Sequence, residues 1–279
     1  MGFSNYRRST GVVIIDRATR MPAHGTTPVV TDGPGAVAAV VDATDRLQPS
    51  STIVCVDGPF VGPHARPPAT QPPSSRLIER FFSSGPFAAV PPSGRRLRLM
   101  PAPTRDGSRL LDATRAIVAR LGKLELQEQC IVDGKVCGQV IEIFPSLFMG
   151  AMLPPRTYTG KRKDHSDDLW CRLFRVREYA GTKSKVPSPL DRYRELCGVV
   201  EAGRAADRHD LRTAAISAIA ADLYAAARPG SHDSDAVTFI GTPDELGFIL
   251  PPIRCWNPGF RRLVNDHWRA WSREKLLWL

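Results

Sequence analysis

The chain has 279 residues, 42% of them hydrophobic and 24% charged, which suffices for one large core or for one core with an insertion. Its 38 lysines and arginines exceed its 28 acidic residues by 10, and this basic balance favours polyanionic partners such as nucleic acid. No apolar run reaches the roughly 18 residues that span a bilayer, and the first residues lack the apolar stretch of a signal peptide. Because the six cysteines are dispersed and form no CxxC pair, we expect no zinc site and a reduced, cytoplasmic protein without a membrane segment.

The first part of the chain predicts the order strand, strand, helix, strand. Residues 11–16, GVVIID, and 27–30, TPVV, have strand patterns, and residues 36–47 have a helical composition after the turn cluster TDGPG. Residues 53–56, IVCV, form an apolar run typical of a strand buried on both faces, and Asp57 follows directly.

The rest of the chain predicts further helices, a second buried strand and a hairpin. Helices are expected at 74–82, 106–122 and 207–228, a strand at 137–145, and a hairpin at 237–252. Residues 154–203 differ in composition and predict a helical or partly mobile insertion. Residues 254–279 contain four tryptophans and predict a C-terminal helical tail outside a single domain of residues 1–253.

Three carboxylates stand near the ends of these elements. Asp57 and Glu142 come at or near the ends of buried strands, and Asp210, beside His209, lies in the first turn of an alanine-rich helix. If the two strands are parallel, their carboxyl ends meet at one edge of the sheet, where clustered carboxylates would need a divalent cation. The residues alone favour a simpler interpretation over a metal site, namely a turn-forming Asp, a Glu paired with an Arg, and an Asp stabilised by the helix dipole.

Five blocks along the chain resemble a known family. The similarity is to the domain-of-unknown-function 429 family of predicted nucleases. In chain order, the five blocks are VCVDGPF, RLIERFFSSGPF, QVIEIFPSLF, HDLRTAAISAIAADL and FIGTPDELGFILPP. The resemblance implies a ribonuclease H-like α/β fold, a mixed sheet flanked by helices. It assigns Asp57, Glu142 and Asp210 as catalytic ligands of Mg²⁺ or Mn²⁺, with His209 also in the catalytic site.

The N-terminus departs from the pattern that this family implies. In ribonuclease H-like folds the first strand carries an essential Asp, whereas GFSNYRRSTG resembles the turn that follows such a strand and GVVIID resembles the second strand. The first strand is therefore expected to be missing, either because the chain is longer or because the strand was lost. Arg76 and Glu79 lie in a block typical of the family, where we expect a surface ion pair or a cap interaction.

Two functions follow as alternatives. One is a metal-dependent nuclease that hydrolyses phosphodiesters, and the other is a non-catalytic protein that binds nucleic acid or a partner on the same fold. In either case the basic residues Lys161, Arg162, Lys163, Arg95 and Arg96 are candidates for contacts with DNA or RNA phosphates, although a merely solvated face explains them equally well.

Overall fold

A computed structural model describes residues 2–5, 9–59, 76–87, 105–132, 135–155, 165–174, 190–226, 237–271 and 277–278. Over these residues the protein is mixed α/β, with helices on both sides of a mixed sheet that contains parallel strands. This confirms the predicted α/β class and the predicted flanking helices. No helix in the described part of the chain is both long and apolar enough to cross a membrane.

The strands form three hydrogen-bonded sheets. They are β1 (Gly2–Asn5), β2 (Ser9–Val12), β3 (Val29–Thr31), β4 (Val54–Asp57), β5 (Cys130–Val132), β6 (Lys135–Cys137), β7 (Val140–Ile143), β8 (Thr238–Thr242), β9 (Leu246–Leu250) and β10 (Leu277–Trp278). The largest sheet has the order β10-β8-β9-β7-β4, in which β4, β7 and β9 are parallel. An antiparallel β1-β2-β3 sheet lies beside it, since β1 contacts β4, and β5 and β6 form a separate hairpin.

The helices correspond closely to the predicted ones. They are α1 (Gly33–Leu47), α2 (Leu77–Ser83), α3 (Arg105–Leu121), α4 (Pro145–Ala151), α5 (His165–Phe174), α6 (Arg194–Glu201), α7 (Arg208–Ala226) and α8 (Pro258–Ala270). The side chain of Asp32 accepts a hydrogen bond from the Gly35 N–H at 2.8 Å and so caps α1. The side chain of Asn257 does the same for α8, at the Gly259 N–H.

The register of β4 against β7 divides the core into two faces. Val56 is opposite Glu142, and Asp57 is opposite Ile143. Because successive side chains point to opposite faces of a sheet, Asp57 shares a face with Cys55, which packs in the same cluster as α7. Val56 shares the other face with α1 and α3. We call these the α7 face and the α1 face.

Two predictions about the ends of the chain are corrected. Residues 2–5 form strand β1, antiparallel to β2 with Gly2 opposite Gly11, so the reading of this segment as only a turn after a missing strand is wrong. In the C-terminal region α8 is helical as predicted, but Trp278 pairs with Ile240 in an edge strand. Trp256 packs in the main core with α8.

Candidate functional site

The first turn of α7 lies against the carboxyl end of β4. Asp57 is the half-buried last residue of β4 and, by register, faces α7. His209 and Asp210 occupy the first turn of α7, which packs along β1, β2 and β4. Both Asp57 and Asp210 act electrostatically on His209 and raise its pKa. Sequence reasoning placed these three residues at one site, and the structure brings them to the same face of the sheet.

Gly11 allows α7 to approach the sheet this closely. A Cβ atom at position 11 would collide with the backbone carbonyl of Asp210 and would lie 3.1 Å from the Cβ of Ala214. The alanine side chains of α7 are small, and so they also allow the helix backbone to lie near the strands. The position of Asp210 is therefore fixed by backbone packing and not by a flexible side chain elsewhere.

Asp210 is buried with an incomplete set of polar contacts. Only 4% of the residue is exposed, and its Oδ1 has no hydrogen-bond partner. A buried polar atom without a partner costs roughly 1–3 kcal/mol, and more when it is charged. Asp222, on the same helix and equally buried, accepts a hydrogen bond from the Tyr193 hydroxyl at 2.6 Å. Among the described residues, the Nε atoms of Arg20 and Arg80 and the Oδ1 atom of Asp167 are also buried without a hydrogen-bond partner. Asp210 is the one of these four residues that lies in the first turn of α7, against the sheet.

His209 is held by a residue that sequence reasoning did not select. Its Nδ1 lies 3.2 Å from Asp167 Oδ2 and 3.4 Å from the Ser166 hydroxyl, both in α5. The hydrogen bond to Asp167 is the main cause of the raised pKa of His209, and burial opposes it. Because Ser166 and Asp167 meet the same ring nitrogen, they do not form a Ser–His–Asp relay, which needs the two partners on opposite nitrogens.

Asp167 is itself held in place by a chain of charged contacts. Arg212 lies 3.1 Å from Asp167 Oδ1 and donates two hydrogen bonds of 2.8 Å to Glu201. Trp170 Nε1 donates to the same carboxylate at 2.8 Å. Burial works to raise the pKa of Asp167, but the hydrogen bond with His209 and the nearby positive charge of Arg212 outweigh it and lower the pKa. The sequence run DHSDD offered no signal for this, since it reads as a solvated charge cluster.

Glu142 does not join this site. It shares the α1 face with Val56, opposite to the face of Asp57, and its carboxylate is bound by the Arg76 guanidinium through two hydrogen bonds, one of them 2.8 Å long. The expected convergence of three carboxylates is therefore corrected to two. Consistently, the described residues contain no group of three or more His, Cys, Asp or Glu side chains that could hold a metal ion.

Arg76 instead joins three parts of the α1 face. Its backbone N–H and its Nε donate to Glu79, at 3.0 and 2.9 Å, so the expected cap interaction is present. The expectation of a surface pair is wrong, because Arg76 is only 1% exposed. Glu245, in the β8–β9 turn, accepts from the Leu77 N–H at the start of α2. Burial works against the charge of Arg76, but Glu142 and Glu79 outweigh it and raise the pKa of Arg76.

The proposed nucleic-acid contacts cannot be placed in the same way. The described residues do not include these five candidates, which are Lys161, Arg162, Lys163, Arg95 and Arg96.

No protein-family model, curated protein or solved structure matches this chain. The ribonuclease H-like fold and the nuclease activity that the five blocks imply therefore stay predictions.

Proposed function

We propose that the end of β4 on the α7 face is the active site of a metal-dependent enzyme that hydrolyses phosphodiesters, on a ribonuclease H-like sheet. The observation that carries the proposal is Asp210 Oδ1, which is buried beside the strand that ends in Asp57 and has no hydrogen-bond partner. An unsatisfied carboxylate oxygen at such a position is stabilised if a cation completes its contacts.

Asp57 and Asp210 fit the requirements of Mg²⁺ or Mn²⁺ as a pair. Mg²⁺ in enzymes is commonly held by one or two carboxylates, with waters and substrate phosphate oxygens as the remaining ligands. A divalent ion at such a site lowers the pKa of bound water and neutralises charge that develops on a phosphate. Glu142 is excluded from this ligand set because Arg76 occupies its carboxylate.

His209 supplies positive charge to the same site. Its raised pKa favours the protonated ring, and Asp167 fixes its orientation through Nδ1. A protonated imidazole beside Asp57 and Asp210 can bind a substrate phosphate oxygen and can donate a proton to a leaving oxygen. Asp167 and Arg212 act as positioning residues, since their contacts reach the site only through His209.

The overall charge supports a polyanionic substrate. A net charge of +10 attracts nucleic acid without regard to sequence, and Lys161, Arg162, Lys163, Arg95 and Arg96 remain the proposed phosphate contacts. One observation favours the second candidate function, a non-catalytic nucleic-acid-binding protein: only two of the three expected carboxylates share a face. Binding without turnover, with a steep salt dependence, would identify that alternative.

Calorimetric titration with MnCl₂ tests the metal site directly. The chain is expected to bind Mn²⁺, and Asp57→Asn and Asp210→Asn are each expected to weaken binding at least about tenfold, because each removes one of two carboxylate ligands. Asp222→Asn is the matched control, since Asp222 has the same burial on the same helix and lies outside the site. Equal Mn²⁺ affinity in Asp210→Asn and the wild type would refute the assignment.

Cleavage assays on single- and double-stranded DNA and RNA follow with the same variants. We expect Mn²⁺-dependent cleavage that both Asp57→Asn and Asp210→Asn abolish and Asp222→Asn retains.

Thermal unfolding without metal independently tests the difference between the contacts of Asp210 and Asp222. Asp210→Asn is expected to change the Tm less than Asp222→Asn does, because Asp210 Oδ1 has no hydrogen bond to lose. Asp222→Asn should lower the Tm because it removes the buried carboxylate charge that pairs with Arg17 and Arg20.

A further inference from the structure

Two cysteines face each other across the β5–β6 hairpin. Cys130 is the first residue of β5 and Cys137 is the last residue of β6, and the antiparallel register places them directly opposite each other. Both are thiols in the structure. The dispersed cysteines of the sequence do not indicate this pair, because only strand pairing brings the two residues together.

The separation of the two strands suits a disulfide at this position. Residues directly opposite each other in an antiparallel pair have Cα atoms about 4.5 or 5.5 Å apart, according to the type of pair. Disulfides join residues whose Cα atoms are about 4.4–6.8 Å apart. A bridge between Cys130 and Cys137 therefore requires no movement of the backbone of either strand.

Contacts with the rest of the protein hold both strands beside the two thiols. Gln129, which precedes Cys130, is buried, and its side chain donates to a carbonyl of β9 and accepts from an N–H of β7, both at 2.8 Å. On the other strand, the hydroxyl of Tyr224 in α7 donates to the carbonyls of the residues before and after Cys137. Because both cysteines are fixed in place before any reaction, each thiol is present at a high effective concentration beside the other.

The two thiols lie on the outer face of the hairpin. Val136 packs against the main core, and side chains alternate between the two faces of a strand, so Cys137 faces away from that core. Val132 lies on the same face as Cys130, two residues further on, and is 52% exposed. Cys130 and Cys137 are each partly exposed, whereas Cys55 is buried and burial raises its pKa to about 12. Since the thiolate is the reactive form, the exposed pair is the more accessible to a small reagent.

We propose that Cys130 and Cys137 form a reversible redox site that reacts with low-molecular-weight disulfides of the glutathione type. The thiolate of one cysteine attacks a sulfur of the small disulfide, whose S–S bond breaks, and one small thiolate leaves. The other cysteine thiolate then attacks the protein sulfur of this mixed disulfide and displaces the second small thiolate. The two cysteine thiols lose two electrons and two protons, which the small disulfide gains as it becomes two thiols. Excess small thiol reverses both steps.

Oxidised glutathione is the probe for this site, added to the full folded chain at about pH 8. Remaining thiols are then blocked with iodoacetamide, and the chain is digested with trypsin, which cleaves after Lys135 and so separates Cys130 from Cys137. Mass spectrometry is expected to find two peptides joined through these cysteines, and dithiothreitol should separate them.

Three variants control for the position of the thiols. Cys130→Ser and Cys137→Ser should each stop at the mixed disulfide with glutathione, because the second thiol is absent. The double variant Cys137→Ser with Val136→Cys is the matched control, since it keeps two cysteines but moves one of them by a single position to the other face of β6. Its yield of bridged product is expected to be at least about tenfold lower than that of the wild type.

Two results would overturn the proposal. One is a wild-type chain in which Cys130 and Cys137 stay alkylated, or retain glutathione to the same extent as in the single variants. The other is equal bridging in the wild type and in Cys137→Ser with Val136→Cys, which would show that the strand register does not determine the reaction. Neither measurement depends on metal binding or hydrolysis, so the redox site and the proposed function are tested separately.

Discussion

The buried contact between Arg76 and Glu142 makes a sharp prediction about stability. Both side chains are 1% exposed and they meet through two hydrogen bonds. Removal of one member of a buried ion pair leaves the other charge without compensation and typically costs about 3–5 kcal/mol. We therefore expect Arg76→Met to reduce the free energy of unfolding by this amount, because Met replaces the length of the side chain but not its charge.

Urea denaturation measures the effect. For a chain of this size a slope near 3 kcal/mol per M is expected, so the midpoint should fall by roughly 1–1.7 M urea. Arg194→Met is the matched control, since Arg194 pairs with Asp191 at 2.9 Å but its side chain is 68% exposed. Exposed pairs contribute less than about 1 kcal/mol. A loss in Arg76→Met no larger than that in Arg194→Met would refute the assignment of a buried structural pair.

The double variant Arg76→Met with Glu142→Leu distinguishes the contribution of the ion pair to stability from the contribution of the volume that its side chains fill. Buried ion pairs can be replaced by apolar side chains of similar volume with little loss, so the double variant should be more stable than Arg76→Met alone. Some loss remains because Glu79 also loses its partner.

Glu142→Gln should leave Mn²⁺ affinity unchanged. If Glu142→Gln weakened Mn²⁺ binding as much as Asp57→Asn does, Glu142 would be a metal ligand and the structural reading would fail.

Two further predictions concern the first turn of α7. The folded pKa of His209 is raised above its unfolded value of about 6.5, so its contribution to stability is complete below pH 6.5 and is lost as pH rises through the folded pKa. Urea unfolding at pH 6 and pH 9 should therefore show a larger loss for His209→Gln at pH 6, and an equal loss at both would contradict the pairing with Asp167. Gly11→Ala should destabilise the protein by about 1–3 kcal/mol, because its Cβ meets the backbone of Asp210. Gly198→Ala, a helical position with open space around it, should be neutral or slightly stabilising, and a similar result for Gly11→Ala would show that the close approach is not required.

The elements of this fold could be predicted from sequence because their signals are local. The apolar run before Asp57 and the alanine-rich pattern of α7 identify a buried strand and a buried helix without reference to the rest of the chain. The pairing of Asp57 with α7 also followed, since the helix packs on the sheet where β4 ends. The strand at residues 2–5 was missed because four residues rich in small and polar side chains resemble a turn, and only pairing with β2 makes them a strand.

The position of Glu142 could not be predicted because it depends on register. Each of the two predicted strands has a carboxylate at or near its end and a proline soon after it, so the sequence makes Asp57 and Glu142 look equivalent. In the sheet, Glu142 is opposite Val56 and not opposite Asp57, and this offset of one residue places it on the other face. Asp167 was missed for a related reason, because its contact with His209 spans 42 residues.

The two faces of the sheet therefore use the same chemical group for different purposes. On the α1 face, Glu142 is neutralised by Arg76, which closes the contact between α2, β7 and the β8–β9 turn. On the α7 face, Arg212 and His209 both turn towards Asp167, and Asp210 Oδ1 lacks a hydrogen bond. Because most buried polar atoms in proteins are hydrogen-bonded, the contrast between the paired Glu142 and the incompletely paired Asp210 supports the proposed ligand site on the α7 face.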